Sequence, residues 1–304
     1  MQEVFNKYIN YLEAERNASP YTVRNYTTDL LHFFHFLKAK GVDSLKEVDK
    51  HVLRDYLSYV IEQGFVKASI ARKLSAIRSF YRYLQREEII STNPVATASS
   101  PKLDKRLPSF LTIDEVERLL EAPDSSKPQG QRDRALMELL YASGIRVSEL
   151  VSLNLEQINL DSCEIRVRGK GDKERMVLMG KPAARALSDY LSQGRPKLLG
   201  KKGSSALLLN PDGGRLSGRR VQTILGKYAN IAGIDRRVHP HMLRHTFATH
   251  LLDGGADLRV VQELLGHASL SSTQIYTHVT QSQARKVYLS AHPMAKEKDN
   301  ELEK

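Results

Sequence analysis

The chain has 304 residues, with 46 lysines and arginines against 35 aspartates and glutamates, giving a formal net charge of +11. This balance favours a polyanion such as DNA as partner, although solubilising surface charge produces a similar composition. A single cysteine, Cys163, excludes an internal disulfide. Because no apolar run is long enough to span a bilayer and no signal-peptide core is present, the sequence predicts a cytoplasmic protein with no membrane partner.

The first part of the chain carries four helical patterns, at about residues 3–16, 20–40, 48–63 and 69–86. The second follows Ser19, a good N-cap, and opens with Pro20, which is tolerated at the first helical position; it stops at Gly41. We therefore predict a helical domain over residues 1–92, and the basic character of the chain makes it a candidate DNA-binding domain.

The fourth helical pattern carries a basic face, because Arg78, Arg82 and Arg86 recur at a spacing of four residues. Such a face either contacts phosphates or is simply solvated. We favour DNA contact. The candidate DNA-binding residues of the whole chain are Arg72, Lys73, Arg78, Arg82, Arg219 and Arg220.

A linker is predicted at residues 93–110, within the run STNPVATASSPKLDKRLPSF, which combines three prolines with small polar residues and scattered charges. Thr112 and Glu115 then form the pattern of a capping box and open a second domain over residues 111–293. Its pattern is helical apart from a hairpin between EIRVR and RMVLM, and residues 294–304 form a charged tail. The predicted fold is mainly α with a small β-sheet.

The segment HPHMLRHTFATHLLDGGADLRVVQELLGHASLSSTQIYTH brings histidine, arginine and tyrosine together. His241 and Arg244 are three residues apart and share one face of a helix. A tyrosine hydroxyl, such as that of Tyr276, can attack a phosphodiester without a metal if cationic groups stabilise the phosphate and a neighbour accepts the proton. The segment therefore suggests phosphoryl transfer on DNA.

A short helix is predicted within this segment, over residues 258–265. Asp257 is a suitable N-cap and Gly266 a suitable C-terminal stop. His267 would then lie just beyond the helix end.

The motifs LRHTFATHLL, ELLGH and TQIYTH resemble the signature of the tyrosine recombinases, and in particular of the Xer subfamily. Upstream, ASGIRVSEL resembles the family's first arginine motif, and VRGKGDKER resembles the hairpin that carries its catalytic lysine. The resemblance covers nearly the whole chain. It implies a four-helix SAM-like core-binding domain followed by a mixed α/β catalytic domain. The catalytic residues that it implies are Arg146, Lys170, His241, Arg244, His267 and Tyr276.

In the chemistry that this resemblance implies, Tyr276 forms a 3′-phosphotyrosyl link and expels a 5′-hydroxyl. A free phenol has a pKa of about 10, so it needs a base, for which His241 is the candidate, and a cationic neighbourhood. Arg146 and Arg244 supply the charge, and their planar forks can hold the non-bridging oxygens of the phosphate in a bidentate way.

The remaining assignments concern proton transfer and support. Lys170 is expected to protonate the leaving oxygen, with Lys173 as the nearest competitor, and His267 to donate a hydrogen bond to the phosphate. Glu149, one helical turn beyond Arg146, resembles the acidic residue that braces this arginine in the family.

The histidines also allow a metal site. His239, His241 and His245 form the pattern H-x-H-x₃-H, whose last two members have the spacing of helical zinc ligands. However, no cysteine or carboxylate lies at ligand spacing, and the charge of Arg244 disfavours a cation. We expect neither a metal nor any other cofactor, and we interpret His245 and His250 as packing or capping groups.

Three classes of function are considered. The first is a site-specific recombinase of the Xer type, which resolves chromosome dimers at a dif-like duplex site in a tetrameric synapse, with itself or with a paralogous, XerD-like recombinase. A DNA translocase of the FtsK type is a candidate partner, and the final helix, at residues 281–289, would dock into a neighbouring protomer. The second class is an integrase of a phage or mobile element, or a nicking-closing topoisomerase of type IB. The third is a non-catalytic DNA-binding module.

Overall fold

A computed structural model of the protein describes residues 1–96, 110–169, 174–201, 203–266 and 281–295, without the side chains of 281–283. The chain forms two compact units, Met1–Arg106 and Leu107–Lys304. Most of the predicted linker, 93–110, and of the predicted tail, 294–304, lies outside the described residues. No helix in the described ranges is long and apolar enough to cross a membrane.

The first unit consists of four helices around an aromatic core. Ser19 Oγ accepts the backbone N–H of Thr22 at 3.1 Å, and Asp49 caps the third helix in the same way. Phe33 and Tyr56 are fully buried, with ring centroids 4.8 Å apart. The helices are α1 (Gln2–Ala14), α2 (Pro20–Ala39), α3 (Lys50–Glu62) and α4 (Lys67–Arg86).

The second unit is built around one buried helix, α6, of which almost every residue from Ala135 to Ser143 is inaccessible to solvent. A small sheet and the other helices surround it. The helices of this unit are α5 (Ile113–Glu121), α6 (Pro128–Ser143), α7 (Val147–Ser152), α8 (Lys181–Asp189), α9 (Arg195–Leu199), α10 (Gly218–Ile231), α11 (Pro240–Asp253), α12 (Leu258–Leu265) and α13 (Gln281–Ala291).

The sheet has three antiparallel strands in the order β1 (Ile158–Asn159), β2 (Glu164–Arg168) and β3 (Glu174–Leu178). Val167 pairs with Arg175, so the strands are in register on both sides of the hairpin tip. The predicted hairpin and the mainly α fold with a small sheet are therefore confirmed. Cys163 lies in the turn directly before β2, with a φ of +55°.

The last helix, α13, packs on α11 and α12 of its own chain. A Cβ added to Gly254 would lie 2.2 Å from the carbonyl oxygen of Ala291. A larger residue at position 254 would therefore clash with the end of α13. Just after the helix, His292 stacks on Tyr288 with centroids 5.2 Å apart. Docking of this helix into a neighbouring protomer stays a prediction.

Acidification is expected to destabilise the second unit through His292. Burial, with a smaller contribution from His250, lowers the pKa of His292 from 6.5 to about 3. An unfolded chain binds this proton below about pH 6.5 whereas the folded chain does not, so the free energy of unfolding falls as the pH drops towards 3. Between pH 6.5 and 5 the loss is about 2 kcal/mol, at about 1.4 kcal/mol per pH unit.

Urea unfolding of the wild type and of His292→Gln at pH 7.5 and 5 measures this loss. The variant should show less acid destabilisation than the wild type. His51→Gln, at an exposed position, is the control and should behave as the wild type. Equal acid sensitivity of His292→Gln and wild type would assign the effect to other groups.

Candidate active site

Arg146 is positioned by a sharp turn between α6 and α7. Gly144 ends α6 with a φ of +57°, a conformation that glycine adopts without strain. A Cβ at this position would also lie 2.5 Å from the ring of Phe247. The turn makes Arg146 the residue immediately before α7, with a partly exposed side chain.

Arg244 lies on α11 and points its guanidinium towards the same turn. Its Nη1 donates to the carbonyl of Gly144, and its Nη2 donates to the carbonyl of Leu265 at 2.6 Å. Burial lowers the pKa of Arg244 to about 10, with further contributions from the positive charges of Arg146 and Arg175. Arg244 is therefore charged at neutral pH but repelled by its neighbours, a repulsion that a bound anion relieves.

Glu149 makes the contact with Arg146 that the family resemblance implied. Its Oε2 accepts the backbone N–H of Arg146 at 2.9 Å, and its Oε1 accepts from Nη1 at 3.0 Å. Burial by itself would raise the pKa of Glu149, but hydrogen bonds and charge from Arg175 and Arg146 outweigh it and hold the pKa below its ordinary value. Glu149 is therefore a carboxylate at neutral pH.

The C-terminal end of α12 holds the two predicted catalytic arginines near each other. Asp257 caps the start of this helix, and Gly266 ends it with a φ of +64°, both as predicted. The carbonyl of Gly266 accepts from Arg146 at 3.3 Å, next to the carbonyl of Leu265 that binds Arg244. Because the last carbonyls of a helix carry partial negative charge, they stabilise two cations that would otherwise repel each other.

A third arginine, Arg175 on β3, joins this cluster and was not predicted. Its two terminal nitrogens bind the two oxygens of Glu149 at 2.8 and 3.0 Å. Since Glu149 lies 26 positions earlier in the chain, no local spacing reveals the pair. The only sequence signal is an arginine at the start of the strand that follows the predicted lysine hairpin.

The cluster has an excess of positive charge. Three guanidinium groups surround one carboxylate, which leaves a net charge of +2 on Arg146, Arg175, Arg244 and Glu149. A phosphodiester carries one negative charge, and charge builds up on its oxygens during displacement at phosphorus. A preorganised, partly buried cluster of this kind is suited to stabilising that charge.

His241 lies in the first turn of α11, three residues before Arg244, and is exposed. Within the described part of the chain it makes no hydrogen bond to the arginine cluster, so its role as a base stays a prediction. His239 Nδ1 accepts the backbone N–H of Met242 at 3.1 Å and thereby caps α11. His250 is buried and hydrogen bonded to Tyr141, in agreement with its interpretation as a packing group.

Among the residues that the structure describes, no group of three or more His, Cys, Asp or Glu side chains is arranged to hold a metal ion. Three predicted catalytic residues, Lys170, His267 and Tyr276, lie outside those residues, as does Lys173. Gly266, which directly precedes His267 in the sequence, accepts a hydrogen bond from Arg146 of the arginine cluster. The roles of the three residues stay predictions.

The candidate DNA-binding residues of α4 differ in their environments. Lys73 is only 3% exposed and forms an ion pair with the buried Asp29 at 3.4 Å, so its ammonium group does not face solvent. The prediction that Lys73 contacts DNA is therefore wrong. Together with Arg72, Lys73 neutralises the buried carboxylate of Asp29. Arg82 is exposed and Arg78 is partly exposed.

Arg86, the last member of the basic face, lies over the ring of Tyr11 at 4.0 Å and is paired with Glu87. Contacts of this kind compete with DNA for the guanidinium.

In the second unit, Arg219 and Arg220 are exposed in the first turn of α10, which Ser217 caps. Their predicted contact with DNA is untested.

Comparison with known proteins agrees with this site. The description "Phage integrase family" matches residues 109–283, more than half of the chain, and "Phage integrase, N-terminal SAM-like domain" matches residues 5–88. The chain belongs to the phage integrase family. This recombinase is 49% identical over 300 residues to the tyrosine recombinase XerC of Pelotomaculum thermopropionicum, covering 96% of its own length and 98% of that protein. It is 45% identical over 294 residues to the XerC of Bacillus subtilis, covering 96% and 97% of the two chains.

Solved structures of the family have the same fold. XerH bound to palindromic difH substrate, in a post-cleavage complex, matches the recombinase with a TM-score of 0.69 and 28% identity, over 90% of this chain and 77% of that chain. A lambda integrase (75–356) dimer bound to a COC′ core site matches with a TM-score of 0.68 over 100% and 98% of the chains. At 20% identity, the second match shows the fold alone.

These relatives confirm the predicted enzyme class, a site-specific tyrosine recombinase that cleaves and rejoins DNA. They also place the chain with the XerC proteins of the Xer subfamily. The segments HPHMLRH and QELLGH resemble XerC more than XerD, and the relatives described above are XerC proteins.

Proposed function

We propose that this recombinase resolves chromosome dimers at a dif-like site in the cytoplasm, in a tetrameric synapse with copies of itself or with an XerD-like paralogue. A DNA translocase of the FtsK type is the proposed activator. Support comes from the near full-length identity to XerC proteins and from the likeness to XerH, which was solved on difH DNA. Residues 1–92 and 111–293 would act as the core-binding and catalytic domains, joined by residues 93–110.

The observation that carries the chemistry is the arginine cluster at the end of α12. Arg146 and Arg244 are held near each other by carbonyls of Leu265 and Gly266. In the proposed reaction they bind the non-bridging oxygens of the scissile phosphate. Contacts within the protein hold these donors in place, and such preorganisation is the condition for efficient electrostatic catalysis.

The proposed cleavage step is an in-line displacement. The Tyr276 oxygen forms a bond to phosphorus as the bond from phosphorus to the 5′ oxygen breaks. The phenolic proton passes to His241, and Lys170 protonates the leaving 5′ oxygen while His267 donates a hydrogen bond to the phosphate. In rejoining, the oxygen of a 5′-hydroxyl bonds to phosphorus as the bond from phosphorus to the Tyr276 oxygen breaks; Lys170 takes up the hydroxyl proton and His241 returns a proton to the tyrosine. The energy of the phosphodiester is conserved, so no ATP is consumed, and none of these steps uses a metal.

A trapping experiment tests this proposal. The wild type, Tyr276→Phe and Tyr21→Phe are incubated in chelator with a nicked dif-like duplex, with and without an XerD-like partner, and resolved on a denaturing gel. Tyr21 is 76% exposed and serves as the matched tyrosine control. We expect a covalent adduct with the wild type and with Tyr21→Phe, and none with Tyr276→Phe.

Three outcomes would contradict the proposal. An adduct with Tyr276→Phe would exclude this residue as the nucleophile, and the absence of a wild-type adduct under both conditions, despite DNA binding, would favour a non-catalytic module. Relaxation of a supercoiled plasmid that lacks any dif-like sequence would instead favour a topoisomerase.

A further inference from the structure

Arg175 occupies a position that the catalytic assignments above do not use. It is the second residue of β3, five positions after Lys170 in the sequence, and its side chain is 20% exposed. Nη1 and Nη2 bind Oε1 and Oε2 of Glu149 at 2.8 and 3.0 Å. A bidentate pair of this kind fixes the plane of the carboxylate as well as its position.

The same guanidinium lies against the end of α12. A Cβ added to Gly266 would lie 2.7 Å from Nε and 2.9 Å from Cδ of Arg175, so a side chain at position 266 would displace the arginine. The Gly266 carbonyl in turn accepts from Arg146. Arg175 therefore contacts Gly266 at the end of α12 and, through Glu149, Arg146 immediately before α7.

The pairing leaves Arg146 available for substrate. With Arg175 on both oxygens of Glu149, Arg146 shares the carboxylate through one side-chain nitrogen, Nη1, and its backbone N–H. Guanidinium has five N–H donors, of which the described contacts of Arg146 use two. Without Arg175, the carboxylate is free to turn and bind the fork of Arg146 in a bidentate way, which would withdraw that fork from the phosphate.

We propose that Arg175 is a positioning residue of the recombination reaction. It locks Glu149 so that the fork of Arg146 faces the phosphate, and it links β3 to the turn before α7 and to the end of α12. This role rests on the proposed function of Arg146 in holding the scissile phosphate.

Single-turnover cleavage of the nicked dif-like duplex by Arg175→Lys tests the proposal. Lysine keeps the charge but cannot bind both oxygens of Glu149 with a planar fork. We expect cleavage to slow about 10- to 100-fold, a range that a misplaced transition-state donor commonly produces. The dissociation constant for the duplex should stay within about threefold of the wild type. Arg166→Lys, at an exposed position on β2, is the matched control and should cleave at the wild-type rate.

Two further readouts separate positioning from a general loss of structure. Arg175 lowers the pKa of Glu149, so Glu149 should become protonated at a higher pH in Arg175→Lys. As the pH is lowered, cleavage by this variant should therefore begin to fall at a higher pH than cleavage by the wild type. Introducing Glu149→Gln into the wild type should slow cleavage. The same change introduced into Arg175→Lys should slow cleavage little further, because both changes break the same contact.

The outcomes distinguish this inference from the function on which it rests. If the wild type fails to cleave, the proposed function fails. If the wild type cleaves and Arg175→Lys matches it in rate, or is slower with an unshifted pH profile and fully additive effects, Arg175 is not a positioning residue.

Discussion

Replacing either Arg146 or Arg244 by lysine is expected to slow formation of the covalent protein–DNA intermediate by about 100-fold or more, the range seen when one preorganised transition-state donor is removed. Arg244 spans the carbonyls of Gly144 and Leu265 with two different nitrogens. The single nitrogen of lysine cannot reach both carbonyls and also hold a phosphate oxygen. The charge survives the substitution, whereas the fork geometry does not.

The measurement is the single-turnover cleavage rate of a nicked dif-like duplex, together with the affinity for the same duplex. Affinity should change little, because it depends on many phosphate contacts whose charge is retained. Arg185→Lys, at an exposed position of α8, controls for the substitution itself. Wild-type cleavage rates in both variants would show that charge alone suffices and would remove the bidentate argument.

Replacing Glu138 by glutamine is expected to raise the free energy of unfolding at alkaline pH. The gain over the wild type should be about 3 kcal/mol larger there than at pH 4. Glu138 lies on α6, is 2% exposed, and its Oε2 has no hydrogen-bond partner among the described residues. Burial raises the pKa of Glu138 to about 7, partly offset by the charge of Arg134.

The direction of this effect follows from the two pKa values. An unfolded glutamate ionises near pH 4.5 but the folded one only near 7, so the wild type loses stability as the pH rises through this window. Glutamine has the shape of the neutral acid and cannot ionise. The stability difference between variant and wild type should therefore be small at pH 4, grow between pH 4.5 and 7, and remain constant above.

Chemical unfolding at pH 4, 6 and 8 measures this difference. Glu156→Gln, at an exposed position after α7, is the control and should give little pH-dependent change. A difference for Glu138→Gln that stays flat between pH 4 and 8 would mean that the folded carboxyl ionises normally. His292 lowers the free energy of unfolding as the pH falls, whereas Glu138 lowers it as the pH rises. The two contributions can therefore be told apart.

Local sequence determined much of this protein. The four N-terminal helices, the hairpin, and α12 with Asp257 at its start and Gly266 at its end follow from caps, breakers and periodicity, because these signals act over one or two helical turns. The motifs around Arg146 and Arg244 likewise identified the family, because they lie within short segments of the chain.

Tertiary structure decided the features that depend on distant partners. The pairing of Arg175 with Glu149, the burial of Lys73 beside Asp29, and the seating of α13 over Gly254 join residues that no local spacing relates. An arginine or lysine in a sequence can equally face solvent, a phosphate or a buried carboxylate, and only the packing around it determines which. The sequence therefore identified Arg146 and Arg244, whereas the fold added Arg175 and determined which arginine is held ready for a phosphate and which holds another side chain in place.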